Sequence, residues 1–189
     1  MPKWARVSVP APKADEIVVI KDFFVAGFVL PVHPFIIGVM KKYRIYFHQL
    51  TPNAVVRLGL FICIAQSQGV EPDVDCFCCL HKLHFQARPD PKSGLHQNFG
   101  CYNFVARGDA LLPTKAYKSR WPSNWFRSWF YVKVDLEDEP EMKDLVLIPF
   151  VVSTGCTEPP FEMTEGASAL LKAYTVVCQN IGTRDLVEE

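Results

Sequence analysis

Five side chains able to hold a metal or act as nucleophiles crowd nine residues: Cys76, Cys78, Cys79, His81 and His84. Thiolates and imidazoles are the usual ligands of zinc, and a structural zinc site closes a tetrahedron from two separated ligand pairs. No loop separates the cysteines from the histidines here. Read as one helix, Cys76 and Cys79 share a face and Cys78 points elsewhere. His81 and His84 lie roughly 140° around the helix from the cysteine pair. The expectation is therefore no metal, with the thiols packed as small apolar groups around Phe77. His33, between Val32 and Pro34, is expected to bond local backbone in a turn rather than serve as a base.

Other catalytic patterns are missing. The chain has no G-x-S-x-G elbow, no G-x-x-x-x-G-K-[ST] loop and no G-x-G-x-x-G turn. Nuclease and integrase chemistry needs acidic residues that hold two metal ions. The acids here gather in Asp135–Asp144, which reads as an exposed linker. An enzyme is not expected, nor a cofactor or a small-molecule substrate.

The best binding candidate is the stretch KAYKSRWPSNWFRSWFYVK, Lys115 to Lys133. Cationic side chains neutralise phosphates and aromatic rings stack on bases. Lys115, Lys118, Arg120, Trp125 and Arg127 are the candidate nucleic-acid-binding residues. The competing reading makes Trp125, Trp129, Phe130 and Tyr131 core anchors of a strand, with the basic residues on its wet side. Phe130 would then face opposite to Trp129 and Tyr131.

The charge pattern sharpens this choice. The 189 residues carry 20 Lys and Arg against 20 Asp and Glu, so bulk charge gives no attraction to nucleic acid. Lys82 to Lys133 nevertheless carries a local charge of +7, and Val134 to Glu165 one of −8. The two stretches are expected to neutralise each other. Apolar residues at 49% are ample for a core in a single domain. The N-terminal residues show no secretory h-region. The apolar run Ala54–Ala65 is far shorter than the roughly 20 residues a bilayer needs. The seven cysteines are odd in number and follow no small-scaffold spacing. An intracellular chain, cytoplasmic or nuclear, with reduced thiols and no membrane partner is expected.

These residues must be positioned by the surrounding elements. Residues 1–14 read as a flexible leader, and 15–189 as a single domain. Ile17–Ile20 reads as a strand. Asp22 is placed as the cap of a short helix through Ala26, with Gly27 at its C′ position. Pro34 starts a helix to Tyr43 whose apolar residues recur at three and four. Thr51-Pro52 is a cap and first-turn signature for a helix to Ser67, stopping at Gly69. Val55, Val56, Leu58, Leu60, Phe61, Ile62 and Ile64 wrap it almost completely, as in a central core helix. Asp73 or Asp75 caps a helix from Val74 to Leu83. Residues 89–98 read as a loop. Cys101–Arg107 and Trp129–Val134 read as strands that pair with each other. Leu136–Lys143 reads as acidic linker and Leu145–Val152 as an apolar run. Thr164 or Glu165 begins the last helix, with Ala167, Leu170, Leu171, Tyr174, Val177, Cys178 and Ile181 at helical spacing.

Several segments, in this order, resemble one known family: DEIVVIKDFF, AGFVLPVHPF, HQLTPNAVVRLGLF, WFRSWFYVKVD and IGTRDLVEE. The resemblance is to the plant gypsy-type transposon domain, a Gag-like family of retrotransposon-derived proteins, and runs from about Asp15 to Glu189. It implies a lineage and carries over no catalytic residue. EPDVDCFCCLHKLHF stands where the family has a Phe-containing helix, which implies a core role for Phe77 and Leu80. Gly27-Phe28 stands where the family has Gly-Leu. RDLVEE resembles the start of a longer helix, as in a truncated copy. The expected fold is α+β: a mainly helical N-terminal half, a small antiparallel sheet and a C-terminal helix. The expected function is a non-enzymatic Gag-like assembly module that self-associates. The alternative is a weak, sequence-nonspecific module for RNA or DNA.

Overall fold

A computed structural model of the chain describes residues 13, 15–89, 96–108, 110, 121–122, 125–134 and 156–180. The candidate residues Lys115, Lys118 and Arg120, the acidic linker, the run Leu145–Val152, Ile181 and nearly all of the leader lie outside the described residues.

The chain opens with β1 (Glu16–Ile20) and α1 (Lys21–Val25), followed by α2 (Pro34–Tyr43), α3 (Pro52–Ser67) and α4 (Val74–Leu80). The strands β2 (His81–Pro89), β3 (His96–Ala106), β4 (Trp129–Lys133) and β5 (Cys156–Thr157) come next, and α5 (Glu165–Asn180) closes the order. The fold is α+β with two small sheets. One pairs β1 with β4 and the other runs β3-β2-β5, both antiparallel.

The helix starts follow their local chemistry. His33 Nδ1 accepts from the Phe35 N–H at 3.2 Å, and Pro34 takes the first helical position of α2. The turn histidine thus does the local bonding its setting suggested. Thr51 Oγ1 accepts from the Ala54 N–H at 3.2 Å at the start of α3, with Pro52 at the first position. Asp73 Oδ1 accepts from the Cys76 N–H at 2.7 Å ahead of α4. Thr164 Oγ1 accepts from the Ala167 N–H at 3.1 Å ahead of α5. Each cap satisfies a donor that the first turn leaves without an intrahelical partner. Gly27 ends α1 at φ +90, a conformation that costs glycine little.

Four expectations are corrected. Asp22 does not cap α1; the N-cap is Ile20, without a side-chain bond, and Asp22 sits in the first turn. Helix α4 ends at Leu80 and not at Leu83. There the carbonyls find partners outside the helix: the Arg107 N–H, just after β3, donates to Leu80 O at 2.9 Å, and the Tyr43 hydroxyl of α2 donates to His81 O at 2.7 Å. His81 is already extended, and β2 begins with it. Next, the stretch read as a loop at 89–98 includes the last residue of β2 and the first of β3. Finally, the strands at 101–107 and 129–134 do not pair. β3 pairs with β2, setting Phe85 opposite Tyr102, and β4 pairs with β1, setting Val18 opposite Tyr131.

One hydrophobic cluster runs from Ile17 to Val177. Phe77 is its centre, with ring centroids at 4.9 Å from Phe104, 5.2 Å from Phe61 and 5.6 Å from Phe35. Helix α3 is not buried all round. Ala54, Val55, Leu58, Phe61, Ile64 and Ala65 form its buried face, while Val56, Leu60 and Ile62 are only partly covered and Cys63 is exposed. α5 lays Ala167, Leu170, Tyr174 and Val177 into the same core, with the Tyr174 ring 5.3 Å from Phe61.

Candidate functional site

The cysteine–histidine cluster is divided by the end of α4. Cys76 and Cys78 are fully buried and Cys79 is partly covered. Burial pushes the Cys76 thiol up to about 12 and the Cys78 thiol up to about 11, so both stay protonated and unreactive at neutral pH. His81 stacks on Phe77 at 4.0 Å, with Nδ1 3.1 Å from Phe77 O. Burial lowers its pKa to about 3 and keeps the ring neutral. His84 sits on the opposite, exposed side of β2. The helical geometry expected for the two histidines is therefore wrong. They are strand residues separated by an odd step, so they point to opposite faces. Among the described residues, no group of three or more His, Cys, Asp or Glu is placed to hold a metal ion.

Of the basic aromatic segment, two candidate residues are described. Trp125 packs partly against the core, its ring 6.3 Å from Phe23. Arg127 is exposed, with its guanidinium 5.9 Å from the Phe126 ring centroid. Lys133 ends β4 with its side chain 80% exposed and an ammonium 3.5 Å from Asp15. An ion pair so open to water contributes little.

The surface that stands out is apolar. α1 has five residues and buries only Phe23, so Phe24 and Val25 turn outward. Val29 and Leu30 follow beyond the Gly27 turn and are also exposed. β4 brings Phe130 to the same place: its ring stacks on Phe24 at 5.7 Å and 17°, and Phe24 meets Phe28 edge-on at 5.5 Å. Tyr131 is exposed on β4 as well, 5.1 Å from the Trp129 ring. Exposures of 62% for Val25 and 68% for Val29 leave this face open to solvent. Single exposed apolar residues are ordinary, but here Phe24 and Phe130 from two segments stack at the surface, with Val25, Val29 and Leu30 exposed in the same stretch of chain as Phe24. The sequence reading missed Phe24, Val25, Val29 and Leu30. The signal was the density of FFVAGFVL: a five-residue helix has one inward face, and that run holds more large apolar residues than one face can bury.

The fold and this surface define a small α+β module with exposed aromatic residues on α1 and β4. Residues 17–85 match the family model described as "Putative gypsy type transposon". That stretch, from Ile17 in β1 through Phe85 in β2, is similar to the family to which the motifs pointed, and the motifs WFRSWFYVKVD and IGTRDLVEE lie outside it. Neither a curated protein nor a solved structure matches the chain. None of the described helices is long and apolar enough to cross a membrane.

Proposed function

We propose that the chain is a non-enzymatic, Gag-like structural module of retrotransposon origin that works inside the cell by associating with copies of itself. The observation that carries this reading is the open face of Phe24, Val25, Val29, Leu30 and Phe130. Covering apolar surface at roughly 25 cal/mol per Å² is the main driving force for protein association. The gypsy-type match over residues 17–85 supports the lineage. Size-exclusion chromatography with light scattering, with and without RNA, tests the reading. The expected mass rises with concentration above the 21.5 kDa of one chain, in the absence of RNA. A mass of one chain at every concentration refutes it.

A second reading is weak, sequence-nonspecific binding of RNA or DNA by the segment 115–133. Exposed Arg127, Tyr131 and Lys133 favour it, Tyr131 and Lys133 falling on one face of β4, because cations and stacking rings together suit single strands. Replacing Lys115, Lys118 and Arg120 with Glu should then abolish RNA retention at low salt. Unchanged retention by the folded triple variant rules the segment out.

A further inference from the structure

Arg107 engages four groups with one side chain. It follows β3, and its guanidinium donates to Cys78 O at 2.9 Å and to Pro159 O at 3.3 Å. The same group lies 3.4 Å from the Glu158 carboxylate and 4.9 Å from the Phe161 ring centroid. Lys82 reaches Glu158 from β2 at 3.8 Å. Arg107 thus meets the residues between β5 and α5 at Glu158, Pro159 and Phe161. Phe161 is also partly buried against the core. β5 pairs with β2 over two residues, and of residues 158–164 only Pro159 is buried. α5 itself is seated separately, by Ala167, Leu170, Tyr174 and Val177 in the core.

We propose that residues 156–164 form a releasable strap clasped by Arg107, which opens while α5 and the rest of the core stay folded. The reasoning is local. A segment with few buried apolar side chains and mostly exposed backbone opens at lower free energy than the core it lies on. Glu158 is 45% exposed, so salt screens its two ion pairs and weakens the clasp. Opening frees Arg107 and Lys82 together from Glu158, at the junction of α4 and the sheet.

Hydrogen exchange of the full chain, read by mass spectrometry on peptides, tests this. In the parent, peptides covering 156–164 should exchange faster than those covering 167–178 and 81–86, and faster still at high salt. Arg107→Ala should accelerate exchange in 156–164 by roughly tenfold or more, equivalent to about 1.4 kcal/mol, with little change in 167–178. Should Arg107→Ala fold poorly, Glu158→Gln serves instead, because it removes both ion pairs and leaves the carbonyl bonds. It should give a smaller acceleration confined to the same peptides. Equal acceleration of 156–164 and 167–178 in either variant would show that strap and helix open as one unit and overturn the proposal. So would exchange of 156–164 that stays as slow as the core in every variant.

Discussion

Two glycines in neighbouring helices set up a test in which one substitution has opposite outcomes. A Cβ built on Gly38 in α2 would meet Val74 Cγ2 of α4 at 2.8 Å, whereas one built on Gly59 in α3 meets nothing within 4 Å. Glycine to alanine in a helix interior gains roughly 0.8–1 kcal/mol of propensity at either site. At Gly38 that gain is opposed by overpacking, which costs roughly 1–3 kcal/mol. Val74 is β-branched and cannot easily rotate clear. The α2–α4 approach is also pinned by Lys42 Nζ on Asp75 at 2.7 Å and by Phe35 against Phe77. Gly59→Ala should therefore stabilise the chain by about 1 kcal/mol. Gly38→Ala should leave it unchanged or destabilise it by up to roughly 2 kcal/mol. Because the propensity gain is common to both, the difference between the variants isolates the steric cost. Thermal melts resolve it, since each kcal/mol moves Tm by roughly 2–4 °C at this size. Adding Val74→Ala to Gly38→Ala should recover part of the loss, as a double-mutant cycle would show. Equal stabilisation by both substitutions, with no coupling to Val74, would refute the close packing of α2 on α4.

Three further outcomes follow from burial. Leu58→Ala should cost roughly 2–5 kcal/mol and Leu60→Ala clearly less, because Leu58 is fully buried and Leu60 only partly, and urea melts of the two decide it. His81 is neutral when folded, with a pKa of about 3 against roughly 6.5 unfolded. Its contribution is therefore complete above pH 6.5 and is lost as pH falls toward 3, by roughly 1.4 kcal/mol per unit; His81→Phe should flatten that slope in denaturant titrations against pH. Iodoacetamide under native conditions should label exposed Cys63 well before buried Cys76 or Cys78, and equal rates by mass spectrometry would contradict the packing of α4.

Local rules carried the helix starts. Thr51-Pro52 and Pro34 marked their starts outright, and Asp73 and Thr164 were each one of two candidates, because a cap's partner lies within three residues; Asp22 was the exception. Strand pairing was not legible, because the partner of β4 lies more than one hundred residues earlier in β1. β2 was hidden for a different reason. Its signal, Leu83 and Phe85 alternating with Lys82, His84 and Gln86, starts without a turn residue directly after a helix. The pattern was therefore read as that helix continuing. The apolar face on α1 and β4 needed the pairing of β4 resolved. Phe24 and Phe130 become neighbours only once β4 lies beside β1.

Self-association through that face is the central claim, and one comparison tests it most directly. Sedimentation equilibrium over a concentration series should show the parent chain associating and the Val25→Glu/Val29→Glu double variant remaining at the mass of one chain. Both positions are exposed by more than half, so the variant should melt within roughly 0.5 kcal/mol of the parent per site. An associating double variant, or a parent chain that never associates, would contradict the account.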